Sequence, residues 1–291
     1  MNNKALSLTI LFEAESLNFG EGIGNVAQLK KLTRYDNKSY PYLSRQALRY
    51  NIANQMGIDN SKLTNIKEVI QFDSSETIET SAEQDLFGYM ITGDVVIKRA
   101  ACVRLSNAIA LESYNSDMDF LTNLSFLERY NSTAKIKKAG GNIAQSEIHK
   151  SYYAYNMVVE LDRVGIDKNT NINLPSAEKA NRVTNLLDTV LLLSRDIKGR
   201  NESLIPKFVV GGFYSRKNSF FSNSLKCYKN HLNIETLKSV ISLNDDISKN
   251  TKVAMMDGVF ANELKIKEEL DILTVKNMFK YLKKEVSKYY E

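Results

Sequence analysis

The chain has 291 residues, 43% hydrophobic and 25% charged, which excludes a disordered or fibrous polypeptide and leaves room for one large core or two small ones. Two cysteines, Cys102 and Cys227, with two histidines, His149 and His231, are too few for a structural metal cluster and fit a protein of the reduced cytoplasm. A net charge of +5 is a weak pointer to a polyanionic partner, so the placement of the charges matters more than their sum.

Alternation over residues 5–14, with Leu6, Leu8, Ile10 and Phe12 on one face and Leu11 on the other, predicts a half-buried or central strand. Glu13 and Glu15 follow it without a small-residue cleavage site, which argues against a signal peptide. No apolar run reaches the ~18 residues of a membrane span, so no membrane association is expected. The loop at 18–24 reads G-x-G-x-G at Gly20, Gly22 and Gly24, not G-x-G-x-x-G, and no parallel βαβ pattern follows, which argues against dinucleotide binding. A glycine loop ahead of a basic helix can still let phosphates approach backbone N–H groups. That helix is predicted over 44–56, with Ser44 as N-cap, Gly57 as C-cap and Leu48, Ile52 and Met56 as its buried stripe. Arg45 and Arg49, four apart, share a different face.

Residues 59–94 read as an insertion of short elements, and strand character returns over 95–111. Residues 129–146, around Gly140-Gly141, read as a basic loop or hairpin. Tyr153, Tyr155, Met157, Val159 and Leu161 alternate as a strand ending at Arg163-Val164-Gly165. A strong helix is predicted over 176–197, a strand over 207–212 and a lysine-rich amphipathic helical region over 262–290. The order strand, helix, strand, strand, helix, strand is that of an α+β, ferredoxin-like or RRM-like sheet with insertions. Three prolines and no internal repeat predict a single domain over 1–291.

Charge is segregated along this order. From Gly22 to Ile58 the cations are Lys30, Lys31, Arg34, Lys38, Arg45 and Arg49, and Asp36 is the one acid. From Glu68 to Ile97 there is no Lys or Arg, yet there are Glu68, Asp73, Glu76, Glu79, Glu83, Asp85 and Asp94. Arg129, Lys135, Lys137 and Lys138 form a second basic block. Lys207, Arg216, Lys217, Lys226 and Lys229 form a third, interleaved with Phe208, Phe213, Tyr214, Phe220, Phe221 and Tyr228. A surface shaped only for solubility would intersperse its signs, so these blocks point to a basic face that meets phosphate, with aromatics to stack on bases. The bland alternative is chance clustering on solvated faces.

Two residues are candidates for chemistry. His149 stands alone before the tyrosine strand and has no marked acid–base partner, so a structural role is the simpler account. Asp36, isolated among cations, could help hold a metal ion beside bound RNA, or it could be a turn aspartate, as Asp36-Asn37-Lys38-Ser39 suggests. No nucleophile elbow or zincin motif is present.

The ordered set formed by residues 6–13 and 25–34, Tyr42-Leu43-Ser44-Arg45-Gln46-Ala47-Leu48-Arg49, Asp85-Leu86-Phe87-Gly88-Tyr89-Met90, residues 98–109, Leu161-Asp162-Arg163-Val164-Gly165, and Gly211-Gly212 with Arg216 resembles the DevR-type backbone subunit of type I-B CRISPR Cascade complexes. The likeness runs from the first strand to about Asn218. It implies an RRM-like core carrying a helical finger insertion near 59–94 and a thumb hairpin near 129–147. It further implies a cytoplasmic binder without cofactor, metal or enzymatic activity. Copies of the chain would polymerise along one CRISPR RNA beside other Cascade subunits and display the guide for pairing with target DNA. By similarity Arg45, Arg49, Lys98, Arg99, Gly211, Gly212 and Arg216 would hold the RNA, and the basic blocks add Lys30, Arg34, Lys137, Lys138 and Lys217. A rival is the related type III backbone subunit, a metal-dependent target-RNA endoribonuclease with an aspartate in the loop before the first helix, where Asp36 stands. A second rival, a repeat-processing endoribonuclease with His149 as base, would need a long glycine-rich loop near the C-terminus, and this sequence lacks one.

Overall fold

The computed structural model describes residues 4–15, 17–20, 22, 24–93, 95–122, 124–133 and 143–291. Its centre is the strand Ala5–Ala14, in which every residue except Glu13 is buried. Alternate side chains of a strand leave opposite faces, so Leu6, Leu8, Ile10 and Phe12 form one surface and Ser7, Thr9 and Leu11 the other. The strand pairs antiparallel with Ser151–Glu160 on one side and Phe208–Tyr214 on the other, so that Leu8 lies between Met157 and Gly211. Beyond Ser151–Glu160 come Val103–Leu105 and Ala108–Ala110, then Ser39–Leu43 and Lys31–Thr33. Beyond Phe208–Tyr214 come Thr251–Met255, antiparallel, and Ile272–Thr274, parallel. Among the four strands that alternate with the first two long helices, the last in sequence therefore borders the first, the first borders the third, and the third borders the second.

The Leu6 face is covered by the helices Arg45–Gln55, Ser176–Leu191 and Val275–Tyr290. Leu48, Ile52, Val183, Leu187, Met278 and Leu282 pack with Leu6, Leu8, Ile10 and Phe12 in one core. Each such large apolar side chain contributes about 1.5–3 kcal/mol by leaving water. The first helix begins where expected because the Ser44 hydroxyl accepts from the Ala47 amide at 3.3 Å. It ends at Gly57, whose φ of 68° suits a residue without Cβ. On the opposite face a second core joins Leu11, Phe208, Val210 and Tyr214 to Phe221, Leu237, Ile247, Phe260 and Ile266. That layer comes from residues after the Phe208–Tyr214 strand and covers one half of the sheet.

Several expected elements differ. The insertion at 59–94 is built mainly of strands: the hairpin Leu63–Ile66 with Val69–Phe72, one short helix Ala82–Phe87, and Tyr89–Ile91 paired with Ile97–Arg99. The basic segment expected as a loop or hairpin belongs to a longer excursion. Strand Asp117–Thr122 is followed by the exposed helix Leu124–Thr133 and pairs antiparallel with Ile143–Ile148. The residues between, with Lys137 and Lys138, lie outside the described residues. The long helix expected over 176–197 stops at Leu191, and Ser194–Ile197 turns into a hairpin with Arg200–Ser203. No described helix is long and apolar enough to cross a membrane.

Candidate nucleic-acid interface

The half of the sheet that the second core leaves uncovered forms the floor of a groove of about 740 Å³. Its floor is mixed, with Thr9, Ser106 and Asn156 beside Ile109, Leu111 and Ala154, and Thr9 and Asn156 stand at paired positions of adjacent strands. The Thr9 hydroxyl donates to Asn156 Oδ1 at 2.6 Å, and the Ser106 hydroxyl accepts from the Asn156 amide at 2.9 Å. Asn156 Nδ2 reaches Ser222 Oγ at 3.3 Å on the far wall. One wall is the hairpin of Lys31–Thr33 and Ser39–Leu43, which presents Arg34, Tyr35 and Tyr40. The other wall is the 221–226 segment, which ends in exposed Lys226. The Arg34 guanidinium lies 4.2 Å over the Tyr40 ring and donates to the Ala110 carbonyl at 3.2 Å. Tyr35 at the hairpin tip is 90% exposed and offers an aromatic face. Asn107 on the groove lining accepts the Arg45 amide at 2.8 Å, so the basic first helix starts at the groove edge. A partly polar floor, an aromatic rim and cations on both walls together suit a phosphate backbone with stackable bases.

Asp36 sits in the same hairpin as a turn residue. It accepts the Tyr40 hydroxyl at 2.7 Å and the Lys38 amide at 3.1 Å, and the Tyr40 hydrogen bond holds its carboxyl below the ordinary aspartate range. Both oxygens are thus engaged. Among the described residues no group of three or more His, Cys, Asp or Glu is disposed to hold a metal ion. His149 is interior. It packs edge-on to Tyr114 and Tyr153, its Nε2 lies 3.3 Å from the Glu112 carbonyl, and burial lowers its pKa.

The remaining expected RNA-binding residues are scattered. Arg45 and Lys98 are exposed, as is Arg216, while Lys30 is half-buried beside the loop it joins to Asn18. Arg49 pairs with Glu83 at 2.8 Å and lies 5.2 Å over Phe87, so it ties the first helix to the insertion. Lys217 bonds Asp162 at 2.6 Å and Glu160 at 3.2 Å. Burial raises the Glu160 pKa, but hydrogen bonds from Arg163, Arg104 and Lys217 outweigh it and bring the carboxyl to about 2. Three expectations need correction. Arg99 is interior, with its guanidinium on Asp85 and on backbone carbonyls, because the strand alternation that exposes Lys98 buries its neighbour. Gly211 and Gly212 are buried in the central sheet, where a Cβ on the first would overlap the Ser7 carbonyl and on the second the Asn250 carbonyl. Sequence reasoning missed Thr9, Asn107 and Asn156. The available signal was a polar residue set between two large apolar ones within a strand, in Leu8-Thr9-Ile10 and Tyr155-Asn156-Met157.

Comparison with solved structures gives the class of fold. One chain, from a "CRISPR RNA-guided surveillance complex, pre-nicking", superposes with a TM-score of 0.63 at 11% identity and covers 97% of this chain and 100% of its own. Another, from a "CRISPR RNA-guided surveillance complex", gives 0.50 at 15% identity over 87% and 90%. At these identities the likeness is one of fold. The particular family comes from the sequence: residues 6–228 match the model described as "CRISPR-associated negative auto-regulator DevR/Csa2", and the chain belongs to that family. No curated protein sequence matches it.

Proposed function

We propose that this chain is a CRISPR RNA-binding backbone subunit with an RRM-like core. Copies of it polymerise along the guide RNA in a Cascade-type complex and present the guide for pairing with target DNA. The observation that carries the reading is the groove on the open sheet face, partly polar in its floor and flanked by Arg34, Arg45 and Lys226. Family membership and the fold of the surveillance-complex chains support it. The strand order described above is the one a ferredoxin-like βαββαβ unit adopts, with the insertions at 59–94 and 117–148 as finger and thumb. Single-stranded RNA should bind with little sequence preference. Replacing Arg34, Arg45 and Lys226 together by Glu should weaken binding by about tenfold or more and lower the salt slope by about 2, at about 0.7 for each phosphate no longer neutralised. Fluorescence anisotropy across a salt series reads both numbers. Wild-type affinity in a folded triple variant would place the RNA elsewhere.

The same reading makes the protein a scaffold and not a nuclease. Metal-assisted cleavage needs several oxygen ligands converging on one ion, whereas Asp36 bonds Tyr40 and its own turn. The complex loaded with guide is expected to leave complementary labelled RNA intact in magnesium or manganese. Regularly spaced products that vanish with Asp36→Ala would instead establish the ribonuclease activity of a type III backbone.

A further inference from the structure

The helix Val275–Tyr290 lies on the sheet face opposite the groove, with Val275, Met278, Phe279, Leu282 and Val286 turned into the core. Its aromatics also turn inward: Tyr281 packs edge-on to Phe213, and the Tyr290 hydroxyl donates to the Leu161 carbonyl at 2.7 Å. The outward face is different in kind. Lys276, Lys280, Lys284 and Lys288 are all exposed and recur every four residues. Each step is about 6 Å along the axis and 40° around it, so the four make one gently winding stripe centred opposite the buried residues. None of the four has an ion-pair partner among the described residues, while their neighbour Lys283 pairs with Asp188 at 2.6 Å.

On the neighbouring short helices the lysines are paired. Lys238 in Glu235–Ile241 bonds Glu269, Lys249 in Asp245–Asn250 bonds Asp245, and Lys265 and Lys267 in Glu263–Glu269 bond Glu269 and Glu263. Each places an acid three or four residues away or on the adjoining helix. The last helix carries only Glu285, toward its flank, and Glu291 beyond its end. A single-sign row of unpaired charge suits a repeating anion. A duplex presents one phosphate per about 1.7 Å of its axis and needs no base stacking, whereas a single strand is held with aromatic platforms that this face lacks.

We infer that the lysine stripe of the C-terminal helix is a second nucleic-acid surface, which docks the phosphate backbone of double-stranded DNA independently of sequence. It lies on the opposite side of the sheet from the groove, so the molecule can hold a single strand on one face and a duplex on the other.

The test compares the wild type with Lys276→Gln/Lys280→Gln/Lys284→Gln/Lys288→Gln. A control removes the same number of charges elsewhere: Lys62→Gln/Lys67→Gln/Lys168→Gln/Lys229→Gln. The probes are a labelled mixed-sequence duplex DNA, a labelled single-stranded RNA and anionic phosphatidylserine vesicles, with circular dichroism to confirm folding. The stripe variant should bind duplex about tenfold or more weakly at low salt and lose about 3–4 from the salt slope, at about 0.9 per phosphate, while retaining its RNA affinity. The groove triple variant should retain duplex binding, so failure of either surface is read separately. Equal losses in the control would reduce the effect to net charge and overturn the proposal. Unchanged duplex affinity, or a loss confined to the vesicles, would do the same.

Discussion

Asp85→Ala is expected to destabilise the protein by about 3–5 kcal/mol, the range measured when one partner of a buried ion cluster is removed. Asp85 has no exposed surface. Its Oδ1 accepts from Arg99 Nη2 at 2.7 Å, its Oδ2 accepts from Arg182 Nη1 at 2.9 Å, and the Gly165 amide donates to the carboxylate at 2.9 Å. Both arginines are nearly fully buried, and each also reaches backbone carbonyls: Arg99 those of Arg163 and Ile166, Arg182 that of Ile78. Alanine would leave the Arg99 guanidinium in the interior without its carboxylate partner and Arg182 with Glu178 alone, at 2.7 Å. The cluster also joins three distant segments, because Asp85 belongs to the insertion helix Ala82–Phe87, Arg99 to the strand after it and Arg182 to Ser176–Leu191. The insertion should therefore loosen from the core in this variant, with faster proteolysis over 59–94. Urea denaturation followed by circular dichroism measures the loss. Replacing all three residues by apolar ones of similar size should recover much of it, since no uncompensated charge is then left. A loss below about 1 kcal/mol for Asp85→Ala would mean that the arginines reach water and that the cluster is not what docks the insertion.

Gly211→Ala is the second large effect, about 3–5 kcal/mol, from a disfavoured backbone conformation added to overpacking. Gly211 has φ of 149° and lies opposite Leu8 in the central strand pair. A Cβ there would overlap the Ser7 carbonyl oxygen and come within 2.9 Å of Leu8 Cα. Neither atom can yield without bending Ala5–Ala14, the strand around which the sheet is built. Soluble yield and melting temperature should both fall, irrespective of any nucleic acid. This outcome also separates two roles for the residue. A variant that melts like the wild type but fails to bind RNA would make Gly211 a contact to the guide after all.

The local pattern of the chain was enough to locate its main elements. Alternation marked Ala5–Ala14 and Ser151–Glu160 as strands, although the first is buried on both faces, and Ser44 and Gly57 bounded the first helix through the hydrogen-bonding needs of helix ends. Membership in the CRISPR-associated family was likewise legible, because it rests on an ordered series of short motifs. The insertion was not. Its hairpin turns at Lys67 and Glu68, both at positive φ, where no glycine or asparagine announces a turn. Charge counting was equally blind to depth. Asp85 stood among acids of a solvated-looking segment and proved to be a buried anchor, and Lys98-Arg99 split into one surface and one interior cation. The groove belonged to no segment at all. Thr9, Asn107, Asn156, Arg34 and Lys226 come from five separate stretches, and only the pairing of strands distant in sequence brings them to one face. Sequence determines which side chains a local element can offer. Which of them meet water or each other was decided by sheet order and by how much of each face the later layers cover.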